Sequence, residues 1–141
     1  MIAAALAAAL AAQAPTPPDD PSWEVVGRDS HGEYAIDPAS VARSGGRVRV
    51  LIRARSFDRG PPGTRLVVLL YSYDCRASTV RAEASYFYTD DGRPDGQFET
   101  PPGEAREMAV APNTPNALVV ARVCRSPAVA ESTRAGARAR A

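Results

Sequence analysis

The chain has 141 residues, enough for one domain with a real core, and its formal net charge of +1 carries no signal for nucleic acid or another polyanion. Every basic residue is Arg, and the charge is unevenly spread: Arg125 to Ala141 holds four Arg and one Glu, a net +3, while everything before it sums to −2. With one His, two Cys and no Gly-rich phosphate loop, the sequence offers neither a Ser/His/Asp set nor a metal-ligand cluster, so neither an enzyme nor a bound cofactor is expected.

Ile2 to Ala12 is an Ala/Leu run, and Ala12-Gln13-Ala14 fits the small-x-small cleavage pattern, so residues 1–14 read as a signal peptide with a mature start at Pro15. The run is shorter than the roughly 20 residues that a helical membrane anchor needs. No Cys follows it, so no lipid attachment is expected, although the run also lacks the usual preceding positive charge. The expectation is an exported protein, periplasmic or secreted, with no membrane anchor.

Residues 15–22 hold four Pro and two Asp between Pro15 and Pro21 and read as an extended, solvated linker. Trp23 to Arg28 and Glu33 to Ile36 are short strand candidates around the turn Asp29-Ser-His-Gly32. Asp37-Pro-Ala-Ser-Val41 resembles one helical turn with Asp37 as N-cap and Pro38 at the first position. After the turn Ser44-Gly45-Gly46, Arg47 to Phe57 alternates: Val48, Val50, Ile52 and Ala54 on one side, Arg47, Arg49, Arg53 and Arg55 on the other, broken only by Leu51. That pattern predicts a half-buried antiparallel strand. Asp58 to Gly63 must be a loop.

Leu66 to Cys75 is the longest apolar run after the leader and predicts a central strand, largely apolar on both faces. Thr79 to Thr89 follows after a short link, so the two should form a hairpin, with Val80, Ala82, Ala84, Tyr86 and Tyr88 on one face. Asp90 to Gly103 reads as a loop and Glu104 to Val110 as an edge strand. Thr114 and Pro115 announce a short helix to Arg125, with a strand over Leu118 to Val123 as the alternative. Residues 126–141 carry almost no core residues and read as a basic, disordered tail.

Cys75 and Cys124 lie 49 positions apart. In an exported protein their single intramolecular pairing is expected to be a disulfide; the alternative is two separate buried thiols in a cytosolic protein. Closing a loop of that length is worth roughly 4 kcal/mol on the chain-entropy estimate.

Candidate chemistry is sparse. His31 sits in a turn without a positioned second group. Asp90, Asp91 and Asp95 faintly suggest a calcium loop, but Arg93 stands at the third position and Pro102 at the twelfth, so a polar turn fits better. The Arg47, Arg49, Arg53, Arg55 stripe is a candidate face for a polyanionic ligand, against the plainer reading of a solvated sheet face. Tyr71, Tyr73, Tyr86 and Tyr88 read as core or cross-strand partners, with an aromatic ligand platform as a minor alternative.

The chain resembles the surface-adhesin protein E family of small exported proteobacterial proteins over residues 23–125. The resemblance is carried by Trp23, by Tyr34-Ala-Ile-Asp37 with Ser40-Val41, and by Gly45-Gly46-Arg47-Val48. It continues through Tyr73-Asp-Cys-Arg76 with Arg81, Val110-Ala-Pro112 and Val123-Cys124. It implies an α+β fold: one antiparallel sheet of about six strands with a C-terminal helix held to it by a disulfide. It also implies that some relatives sit on the outer surface and bind host extracellular-matrix and serum proteins such as vitronectin and laminin, while the residue inventory itself points to a non-enzymatic module. The adhesin is lipid-anchored and this chain lacks that Cys, so the leading expectation is an exported binding module of the bacterial envelope. The partners left open are an unidentified protein and a second copy of the chain. A host-matrix adhesin is the alternative, and a small hydrolase or metal protein the second alternative.

Overall fold

The computed structural model describes residues 15–56 and 66–125. The expected signal peptide at 1–14, the Arg-Gly-Pro-Pro-Gly loop and the expected tail at 126–141 lie outside the described residues.

The strands are β1 (Glu24–Arg28), β2 (Gly32–Ile36), β3 (Ala42–Ser44), β4 (Arg47–Ser56), β5 (Leu66–Asp74), β6 (Thr79–Tyr88), β7 (Pro94–Glu99) and β8 (Met108–Ala109), followed by helix α1 (Pro115–Val123). All pair antiparallel in one sheet of order β1-β2-β4-β5-β6-β7, with β3 on β4 and β8 on β6. The long strands are served in halves. Ile52 to Ser56 of β4 pairs with β2 and Arg47 to Arg49 with β3.

Between those halves the ladder would leave Leu51 without partners. The Asp37-Pro-Ala-Ser40 turn fills the gap: Asp37 N–H donates to the Leu51 carbonyl at 3.1 Å, and Leu51 N–H donates to Ser40 Oγ at 2.9 Å. The Asp37 carboxylate accepts from Ala39 N–H at 3.0 Å, as an N-cap should. This stretch is thus a splice in the sheet, which accounts for both the Asp and the Ser. Close to it, Gly32 lies so near β4 that a Cβ would meet the Arg55 carbonyl oxygen at 2.7 Å, so only glycine fits there.

The sheet has a core on each face. On one side α1 lays Val119 and Val123, one turn apart, over Ile36, Val48, Val50, Ile52, Tyr73 and Val80, with Val26, Leu69 and Tyr71 at the margin. Thr114 caps the helix by accepting from Ala117 N–H at 3.3 Å, and Pro115 takes the first position. At its other end Cys124 is joined to Cys75 just beyond β5, with Cα atoms 5.5 Å apart. The expected helix and disulfide are both present, and the strand alternative for Leu118 to Val123 is not taken.

The other side holds a second core of Trp23, Ala35, Leu66, Val68 and Tyr88, joined by Leu51 and Tyr86. Leu51 interrupts the Arg stripe because it packs here. This core is covered by the Pro15–Ser22 segment, and the expectation of a solvated linker is corrected. Pro18 is buried, Trp23 Nε1–H donates to the Pro17 carbonyl at 2.8 Å, Arg53 donates to the Pro18 carbonyl at 3.0 Å, and the Thr16 hydroxyl donates to the buried Asp37 carboxylate. A Pro-rich strap loses little entropy on ordering, so a few such bonds suffice to hold it.

Two further expectations change. The single face drawn through Val80 to Tyr88 is broken by a bulge: Leu70 pairs with Ala84 but Tyr71 with Ala82, leaving Glu83 as the extra residue. Val80 therefore joins the helix-side core while Tyr86 and Tyr88 join the strap-side one. Asp90 to Gly103 is not all loop, since it contains β7, and the expected Glu104 to Val110 strand shrinks to the two residues of β8. The short β3, at Ala42–Ser44, has no counterpart among the expected elements.

Candidate functional site

Alternation along β4 places Arg47, Arg49, Arg53 and Arg55 together on the strap side of the sheet, as expected, but three of the four spend their charge within the chain. Arg47 meets Glu107 at 2.7 Å, donates through Nε to Ser72 Oγ at 2.9 Å and through Nη2 to the Ser72 carbonyl at 3.2 Å. Arg49 meets Glu83, the bulge residue, at 2.7 Å. Arg53 pairs with Glu33 at 3.0 Å and lies over the Trp23 ring, 5.5 Å from its centroid. Arg55 is exposed and makes no ion pair among the described residues. Arg81 extends the network toward Glu83 and Glu107, at 3.5 and 3.9 Å. Glu107 is held below the usual carboxylate range, first by the Thr79 hydroxyl that donates to it and then by Arg47. The stripe is a charge-compensated lattice that stitches β4, β5 and β6 to the approach of β8.

The remaining candidates separate. His31 lies in a tight turn whose backbone N–H donates to Asp29 Oδ1 at 2.8 Å. Asp91 accepts from the Thr89 hydroxyl and meets Arg93 at 2.9 Å, so these groups serve the β6–β7 turn. The four tyrosines do not form one platform. Tyr71 and Tyr73 pack edge-to-face on the helix side, 6.3 Å between centroids, and the Tyr73 hydroxyl donates to Asn116 Oδ1 of α1 at 2.7 Å. Tyr86 and Tyr88 belong to the opposite face. Burial raises all four phenols, Tyr73 most, and the Glu99 charge adds to the shift of Tyr86. Among the described residues, no group of three or more His, Cys, Asp and Glu could hold a metal.

Two surfaces were not legible from the sequence. A shallow cleft of about 300 Å³ opens where the β1–β2 turn meets the start of α1, lined by Arg28, Asp29, Tyr34, Asn113, Thr114 and Leu118. At the far edge of the sheet every residue of β7 is exposed; Phe98 is 59% exposed and Phe87, on β6, 38%. Register places both rings on the helix side: Phe98 opposite Ser85, and Phe87 opposite Val67, which shares its face with Leu69 and Tyr71. The helix-side core takes in β1, β2, β4, β5 and the Val80 end of β6 and leaves this corner open. The signal for it was the aromatic pair Phe87 and Phe98, concealed by reading Asp90 to Gly103 as a loop.

The sequence pattern of the family described as surface-adhesin protein E matches residues 23–125, which span the whole of the described sheet and helix. No curated protein and no solved structure matches the chain. The matched span covers well over half of the chain, and the protein belongs to the surface-adhesin protein E family.

Proposed function

From that membership we propose that the protein is a surface adhesin: an exported, non-catalytic module that binds host extracellular-matrix or serum proteins. The single observation that carries the reading is the family match over residues 23–125. It favours the adhesin over an envelope-internal module of unspecified partner, which the sequence alone had put first. The Cys75–Cys124 disulfide supports export, because such bonds persist in oxidising compartments. The fold suits the role physically. A sheet with a core on each face and a covalently fastened helix is a rigid platform, and binding on a rigid element loses little conformational entropy.

The test has two arms. Intact cells of the native host are treated with protease, and the protein is followed by a C-terminal tag. The purified protein is then offered to immobilised extracellular-matrix and serum proteins. Removal of the tag from intact cells together with saturable binding supports the adhesin. Full protection behind an intact envelope, or no binding across the set, overturns it.

A further inference from the structure

The structure assigns the outer edge of β7 as a docking edge for an extended, basic segment of a partner protein, which adds to the sheet as one more strand. The inference rests on the adhesin reading and names the surface and chemistry by which the partner is held.

Three observations converge on this edge. The first is backbone chemistry. Thr100 N–H donates inward to the Glu83 carbonyl at 2.9 Å, so alternation along the strand turns the N–H and C=O groups of Gln97 and Glu99 outward. Among the described residues no strand pairs with that side of β7. The opposite edge of the sheet differs: β1 is crossed by α1, with Arg122 paired to Glu24 at 3.0 Å. The second observation is apolar exposure. Phe98 and Phe87 stand open on the helix-side flank, beside Val67 and Leu69. Two open aromatic rings on adjacent strands are the type of anchor that dominates protein interfaces.

The third is charge. In the middle of the sheet Glu33, Glu83 and Glu107 each face an Arg of β4. Asp95 and Glu99 on β7 make no ion pair among the described residues, and Arg93 beside them is already held by Asp91. The edge therefore presents uncompensated carboxylates next to aromatic rings and free backbone groups. An incoming strand alternating basic and apolar side chains satisfies all three: main-chain hydrogen bonds to Gln97 and Glu99, an apolar residue against Phe98 and Phe87, and Arg or Lys against Glu99 and Asp95. Pro94 and the register shift at Gly96 confine the addition to the Gln97–Glu99 end of the strand.

The probe is a labelled synthetic peptide that alternates Arg with Val, with a peptide alternating Glu with Val as control, each titrated into the full mature chain. The basic peptide is expected to bind and the acidic one not. Glu99→Lys and Phe98→Ala should each weaken binding by about tenfold or more, the loss typical of an interface anchor, with thermal unfolding unchanged because both side chains are exposed. Gln97→Pro, which removes an outward N–H and no bond to β6, should abolish binding; if it fails to fold, the two side-chain variants carry the test. Arg55→Glu on β4 should change nothing. Equal binding of both peptides, or indifference to Glu99→Lys and Phe98→Ala, overturns the docking edge. So does binding of the basic peptide only after residues 126–141 are deleted, which would make the chain's own tail the occupant. The same variants are then tested on matrix proteins. If matrix proteins bind and the variants do not matter, the edge falls and the adhesin stands. If the peptide binds at the edge but no matrix protein does, the edge stands and the adhesin falls.

Discussion

The two faces of the sheet are covered by different means. The helix side has a deep aliphatic core, capped by a helix with an N-cap at one end and a covalent bond at the other. The strap side has an aromatic core beneath an eight-residue Pro-rich segment, held by the bonds of Thr16, Pro17 and Pro18, and a partly exposed ion-pair lattice beside it that meets the segment only through Arg53. The helix buries a stripe of valines and the strap buries one proline. The helix cover should therefore open only with global unfolding, while the strap can open locally. Amide exchange is the direct reading. Val119 to Cys124 should exchange with the free energy of global unfolding, and Asp20 to Trp23 much faster.

The largest expected effect breaks the helix side. Cys75→Ser and Cys124→Ser should each cost about 4 kcal/mol of unfolding free energy, and the two losses should be equal because either removes the same bond. Denaturant titration with and without reductant checks this, and clearly unequal losses would separate the two cysteines. Next comes Trp23→Ala on the strap side, expected to cost about 3 kcal/mol. It removes the centre of the second core, the Pro17 contact and the ring under Arg53 together. In that variant the strap should lose exchange protection while α1 keeps its own. Loss of protection on both faces to the same extent would mean that the covers are a single cooperative unit.

Helix side and strap side were also unequally legible in the sequence. The helix and its cap follow from Thr114-Pro115, although the valines of Leu118 to Val123 left a strand open, and the disulfide follows from a single pair of cysteines, all local or self-announcing signals. Strand β4 follows from alternation and β5 from the longest apolar run after the leader. The strap could not be read, because a run of Pro and Asp looks solvated until Trp23 and Arg53 are seen reaching back to its carbonyls. The bulge at Glu83 could not be read either: one extra residue reverses the facing of everything after it, and periodicity alone does not reveal where it falls. Alternation puts the four Arg of β4 on one face, yet their compensation depends on Glu83 and Glu107, which arrive from β6 and from the approach to β8. Those are long-range contacts, with no mark in the local pattern. β7, with its Asp, Gly and Pro, looks like a turn and is a strand because Ala84 to Tyr88 offers it an edge.

A smaller effect sharpens the helix side. Burial, and then the neighbouring Tyr71, raise the Tyr73 phenol above its ordinary value. The folded state thus holds this proton more tightly than the unfolded state. The contribution is complete below the ordinary Tyr value of about 10 and is lost as pH rises above it. Tyr73→Phe should cost about 1 kcal/mol at neutral pH, for the lost bond to Asn116, and should make the alkaline decline of stability shallower. A decline of unchanged steepness would assign it to other phenols.

The smallest effect tests the strap-side lattice, and its sign is opposite. Glu107 accepts from Thr79 and Arg47, which hold its carboxyl below the ordinary range, so the folded state binds this proton less tightly than the unfolded state. Its contribution is complete above the ordinary Glu value of about 4.3 and is lost as pH falls below it. Glu107→Gln keeps the shape, and its amide oxygen can still accept from Thr79, but it no longer meets Arg47 with a charge. Because Glu107 is largely exposed, the loss at neutral pH should be close to the limit of measurement. The informative reading is the acid limb: stability of the variant should fall less steeply than that of the parent as pH drops below about 4.3. High salt should shrink the difference between them, because screening weakens exposed pairs first. A difference that persists in high salt would mean that the charge on Glu107 acts mainly by strengthening its hydrogen bond from Thr79, rather than through the pair with Arg47.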